Sequence, residues 1–125
     1  MVRPNHSKKF WVSTAALCGV GILYLSVIPV PDGPDIPFLD KPVHVAMYAV
    51  FAWLLVQAIR ATQLEDREYV LMAWIYATSY GLLIEMIQAM LPWRSADWAD
   101  AVSNAVGAAL GVWLGQRFPK GEFTR

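Results

Sequence analysis

Charge is what this chain has least of. Only 16% of its 125 residues are Asp, Glu, Lys or Arg, against about a quarter in an ordinary soluble domain. Ten basic residues are balanced by ten acidic ones, and the missing basic excess excludes a nucleic-acid-binding surface. There is one cysteine, Cys18, so no disulfide framework is available and the redox compartment is not indicated. Internal repeats and low-complexity tracts are missing too. What remains is apolar: 57% hydrophobic residues and a mean hydropathy of +0.40. That content excludes disorder. A soluble chain of this size buries only about two-thirds of its surface, too little to hide so much apolar material. The composition predicts a small integral membrane protein.

The few charges are spaced to leave four apolar runs. Phe10 to Ile28 is nineteen residues without a charge, enough for a helix of ~28 Å. Val43 to Ile59 is the second run, with His44 at its start and Gln57 near its end. Tyr69 to Leu91 is the third, interrupted by Glu85 and Gln88. Ala101 to Phe118 is the fourth and weakest, containing Asn104, Gln116 and Arg117. The expected fold is therefore all-α, an integral membrane bundle of four transmembrane helices over residues 10–118. Short tails, 1–9 and 119–125, flank it. The basic segment before the first run resembles a signal-peptide n-region. The run is too long for one, however, and Ser26-Val-Ile-Pro-Val-Pro offers no small-x-small cleavage site, so a retained span is expected. Five of the eight prolines fall between Pro29 and Pro42, and Pro4, Pro92 and Pro119 flank runs rather than interrupt them.

Basic residues set the expected orientation. Arg3, Lys8, Lys9, Arg60, Arg67, Arg117, Lys120 and Arg125 fall on one side of such a bundle, and only Lys41 and Arg94 on the other. Both termini are therefore expected in the cytoplasm, with loops 29–42 and 92–100 facing outward. Six of the ten acidic residues (Asp32, Asp35, Asp40, Glu85, Asp97 and Asp100) then lie toward the outer side. Aromatic residues near both boundaries read as interfacial anchors.

On that outer side the polar residues converge at similar depth. His44 is followed by Tyr48 one turn deeper. Glu85 lies ~9 Å inside the outer end of the third run, with Gln88 one turn above it. An ionisable group within a span costs a few kcal/mol and is a site candidate by default, unless it is solvated or pairs with Arg94, Lys41 or His44. Asp40 and Asp97 also read as helix N-caps, whereas Asp100 shares a face with Asn104. That face continues as Gly107, Gly111 and Gly115, a small-residue stripe for close packing within the bundle or in a homo-oligomer. No H-E-x-x-H or H-x-x-E-H spacing exists, so neither a metal nor another cofactor is expected.

Together these residues carry a family resemblance. Asp40-Lys41-x-x-His44-x-x-x-Tyr48, Glu85-x-x-Gln88, Pro92-x-Arg94 and Asp100-x-x-x-Asn104-x-x-Gly107-x-x-x-Gly111 resemble the signature of the VanZ-like family over roughly residues 39–115. The resemblance implies a small multi-pass protein of the bacterial inner membrane. The family's founding member is associated with low-level resistance to the glycopeptide antibiotic teicoplanin. No mechanism comes with it.

Three functions are compatible with an outward polar pocket. The first is recognition of an envelope ligand: a lipid headgroup, a lipid-linked wall precursor or a lipophilic antibiotic. Lys41 and Arg94 would then meet its phosphate or carboxylate groups, while His44, Gln88, Asp100 and Asn104 hydrogen-bond to it. The second is a membrane-embedded enzyme on such lipids, with His44 and Glu85 as general acid or base, although no nucleophile stands out. The third is a small multidrug-type transporter using Glu85. The strong basic asymmetry argues for one fixed orientation and ranks the third last.

Overall fold

The computed structural model describes residues 4–29, 40–61, 66–94 and 96–117, and those residues form four helices with no strand among them. They are α1 (Pro4–Val27), α2 (Asp40–Arg60), α3 (Asp66–Met90) and α4 (Trp98–Arg117). Each apolar run falls on one helix, and all four helices start before their runs do. α1 extends back to Pro4, where the proline ring suits a first helical position because that residue's missing N–H would have no helical partner. Most of the expected N-terminal tail is thus helical. The residues after 117 and the proline-rich segment 30–39 lie outside the described residues, and so do Asp32 and Asp35.

Three helices contain stretches long and apolar enough to cross a membrane: Lys8–Val27, Lys41–Arg60 and Glu68–Met90. α4 has 20 residues but a different composition. Its buried face is Asn104, Gly107, Ala108, Gly111, Val112 and Gly115, so close packing has taken the place of methylene groups.

Cross-helix contacts give the helix directions. Lys41 at the start of α2 reaches Asp97 and Asp100 at the start of α4. Arg60 at the end of α2 donates to the Gly115 carbonyl near the end of α4 and to Tyr69 near the start of α3. Arg94, just beyond α3, meets Leu25 and Ile28 at the end of α1. Helices α1 and α3 therefore run one way, and α2 and α4 the other.

The α2–α4 pair is the tightest. A Cβ on Gly107 would collide with the Val45 carbonyl, one on Gly111 with the Ala49 carbonyl, and one on Gly115 would lie 2.9 Å from Val56 Cγ1. The glycine stripe thus lets two backbones touch within one chain. Small side chains also fill the middle of the bundle, where Ala52, Ala73, Ala77 and Ala108 are fully buried beside Tyr48, Val56 and Ile84. Large apolar side chains face outward instead: Leu17 on α1, Met86 on α3 and Trp113 on α4 are all exposed. Small inside and large apolar outside is the reverse of a water-soluble bundle and suits a hydrocarbon surround.

The end of α1 is closed by side chains from the end of α3. A helix leaves its last four carbonyls without helical partners. Here Leu25 accepts from Arg94 Nη2 at 2.7 Å, Ser26 from Gln88 Nε2 at 3.0 Å, Val27 from Trp93 Nε1 at 2.7 Å and Ile28 from Arg94 Nη2 at 2.9 Å.

Candidate functional site

The start of α2 presents Lys41, His44 and Tyr48, in steps of three and four. The start of α4 presents Asp97, Asp100 and Asn104 with the same steps. Because the two helices are parallel and their backbones touch lower down, equal spacing sets one polar rung against another at each turn. Lys41 Nζ donates to Asp97 Oδ2 at 2.8 Å and to Asp100 Oδ1 at 2.5 Å. One turn deeper, His44 Nδ1 lies 2.9 Å from Asn104 Oδ1, while its Nε2 is 3.7 Å from Asp100 Oδ2. Both imidazole nitrogens therefore face oxygen atoms.

Helix α3 completes the cluster from a third side. Gly81 leaves room for the second rung: a Cβ there would lie 3.1 Å from both Asn104 Nδ2 and Tyr48 Cε1. One turn on, Glu85 Oε2 accepts the backbone N–H of Asp97 at 3.0 Å. Of the partners considered for Glu85 from the sequence, none takes this position; a backbone N–H does. Glu85 is 7% exposed, and Tyr48 and Asn104 are each 1% exposed. Within this cluster Tyr48 Oη, Glu85 Oε1 and Asn104 Nδ2 are buried without a hydrogen-bond partner. Buried polar atoms normally have partners, so three orphans on three helices mark the interior of the cluster.

Asp97 links all three helices. Its Oδ1 accepts the Ala99 N–H at 2.9 Å, the geometry of an N-cap on α4. Its main-chain carbonyl accepts from Asp100 and Ala101. The hydrogen bond from Lys41 is the main cause, and that from Ala99 the second, holding its carboxyl below the usual carboxylate range. Sequence spacing presents Asp97 as a cap or a ligand; in the structure it caps α4 and also belongs to the cluster.

The sequence-derived residues thus separate by place. Lys41, His44, Tyr48, Glu85, Asp100 and Asn104 come together. Gln88 and Arg94 point to the end of α1, where they hold carbonyls rather than line the cluster. Asp40 begins α2, and its side chain lies outside the described residues. Gly107, Gly111 and Gly115 pack on α2.

A cavity of about 370 Å³ opens between α3 and α4 beside the cluster, with Glu85 and Asp97 as its polar lining. A larger hollow of about 650 Å³ among α1, α2 and α3 has a lining of apolar residues, tyrosines and Gly19. At the opposite end of the molecule lies a polar group that the sequence reading does not single out. Arg60 there sits 4.8 Å over the Tyr69 ring and donates to the Tyr69 hydroxyl at 2.7 Å. Gln57, one turn earlier on α2, has both amide atoms buried without a partner. The signal was an amide inside an apolar run, three residues before an arginine.

With the geometry described, comparison with known proteins adds one finding. The family model described as VanZ/LLP1 matches residues 6–118. No curated protein and no solved structure matches the chain.

Proposed function

The chain belongs to the VanZ/LLP1 family, and from that premise we propose that it binds a cell-envelope ligand at the polar cluster of α2, α3 and α4, beside the cavity between α3 and α4. The ligand classes are a lipid headgroup, a lipid-linked wall precursor and a glycopeptide antibiotic, with teicoplanin resistance as the outcome in the last case. In this reading the protein is multi-pass in the bacterial cytoplasmic membrane, and α4 is its fourth span. Its parallel packing along α2 and the apolar outer face of Trp113 support that placement. The bias of Lys and Arg turns the pocket outward.

One observation carries the proposal. Tyr48, Glu85 and Asn104 each bury a polar atom with no partner. Each such atom costs about 1–3 kcal/mol, and packing alone gives no reason to keep three of them on converging helices. A ligand that hydrogen-bonds to them gives that reason. Arg94 has a supporting role in this reading, because its Nε and Nη2 donate to carbonyls at the end of α1.

The test is sensitivity to a panel of envelope antibiotics that includes teicoplanin, measured in cells carrying Glu85→Gln, His44→Ala or Asn104→Ala. A shared change in sensitivity, at protein levels equal to the unaltered chain, is the expected result. Three variants that are present normally and leave every sensitivity unchanged would refute the reading.

A further inference from the structure

The cavity between α3 and α4 joins two kinds of wall. Leu82, Met86, Ala89 and Trp98 supply apolar surface, and Glu85 and Asp97 supply carboxylates; among the described residues, no basic one lines it. The neighbouring cations are directed elsewhere. Lys41 is held by two carboxylates, Asp97 and Asp100. The Arg94 guanidinium is on the α1 carbonyls. Among the described residues of the cluster, three carboxylates (Glu85, Asp97 and Asp100) therefore stand against one ammonium and the His44 imidazole, whose Nε2 is 3.7 Å from Asp100 Oδ2 and whose other nitrogen is on Asn104. His44 is thus turned to Asp100 and Asn104, and it does not line the cavity.

From this arrangement we infer that the pocket takes an amphiphile with an ammonium head, entering sideways from the membrane between α3 and α4. The inference rests on the ligand-binding reading above and narrows its ligand class from phosphate or carboxylate to amine. The ammonium lies against Glu85 and the outer side of Asp97, where the Trp98 ring adds a cation–π face. The tail follows Leu82, Met86 and Ala89. Those wall residues are exposed on the outer surface of α3, so the apolar wall continues into the surface that faces hydrocarbon. Glu85 is 93% buried by its 7% exposure and keeps Oε1 without a partner. That is the acceptor an N–H donor meets. An anionic head would face the Glu85 and Asp97 carboxylates, with the Lys41 ammonium on Asp97 already shared with Asp100.

Two matched probes test this, dodecylammonium and dodecyl phosphate, titrated against the purified full-length chain in maltoside micelles at neutral pH. The ammonium probe is expected to bind at least about tenfold more tightly than the phosphate probe. Glu85→Gln keeps the shape and the acceptor for the Asp97 N–H, and is expected to erase most of that ratio. Ala89→Leu narrows the apolar wall without touching a charge, and is expected to weaken the ammonium probe while leaving the melting temperature unchanged. Equal binding of the two probes, or tighter binding of the phosphate, overturns the ammonium assignment and leaves the ligand-binding reading standing. Ammonium binding indifferent to Ala89→Leu overturns sideways entry. Failure of both probes to bind overturns the assignment, and the antibiotic panel then decides the wider reading separately.

Discussion

Asp97 shows how much one exposed side chain can organise. Its Oδ1 caps α4, its Oδ2 takes Lys41 from α2, and its backbone N–H goes to Glu85 on α3. The folded carboxyl titrates below the ordinary value of 3.8. The stabilisation from its charged form is therefore complete above that unfolded value and is lost as pH falls through the lower folded one. The melting temperature in detergent should hold steady down to about pH 4 and then fall. Asp97→Asn keeps a capping side chain but removes this charge, so its melting curve should start lower and depend less on pH in the acid range. Gln57 poses the opposite case. Its amide is buried with both polar atoms unpartnered, and it lines neither of the two cavities described above. Gln57→Leu removes an unmet polar group of similar size, and should raise stability by about 1–3 kcal/mol, read as an upward shift in melting temperature. At this scale the sequence was half legible. Spacing put His44 and Tyr48 on one face and Asp100 and Asn104 on another, but it could not pair them. Pairing depends on α2 and α4 running parallel in a fixed register, which is a property of their packing. For Arg94 the charge suggested a ligand, and spacing could not show that the open carbonyls at the end of α1 take its Nε and Nη2 donors.

At the scale of helices, glycine position decides what packs on what. Gly111 lies so close to the α2 backbone that any Cβ meets the Ala49 carbonyl, whereas Gly21 on α1 has nothing within 4 Å of the same atom. Gly111→Ala should therefore destabilise the fold by about 1–3 kcal/mol by forcing α4 away from α2. That separation also disturbs the Lys41–Asp100 and His44–Asn104 rungs above. Gly21→Ala should be neutral or stabilise by about 0.5–1 kcal/mol through helix propensity. Thermal melts of the two variants side by side make the comparison, and equal behaviour would contradict the packing. Arg94→Ala should lower stability without a direct effect in the pocket, because the Leu25 and Ile28 carbonyls lose their donors. Charged hydrogen bonds of this kind contribute about 1.5–3 kcal/mol. Existence and order of the four helices were legible from the gaps between charges. The partner of the glycine stripe was not, since a stripe at four-residue spacing fits a neighbour in the same chain or in a second copy equally well. The carbonyl of Ala49 against Gly111 resolves that for α4.

At the scale of the whole molecule, zero net charge conceals a strong asymmetry, and α4 is where its meaning is tested. Helices α1 to α3 are apolar enough to cross a membrane on their own composition. α4 has exchanged apolar bulk for close contact, and in a bilayer it would be held by α2 rather than by its own hydropathy. If α4 crosses, residues 35 and 96 share one side of the membrane, and residue 64 and the C-terminal segment share the other. The basic residues assign the first pair to the outside. Cys18 is the one cysteine, so replacing it with alanine gives a background for single cysteines at positions 35, 64, 96 and 122. A membrane-impermeant thiol reagent applied to intact spheroplasts should label 35 and 96 and spare 64 and 122, which should react only after permeabilisation. Labelling of 122 together with 96 would mean that α4 does not cross and lies instead along the outer surface. Gly111→Ala links this outcome to the packing. A helix retained in the membrane by α2 should, once pushed away from it, expose position 122 in a larger fraction of molecules, whereas a helix held by its own hydropathy should not respond.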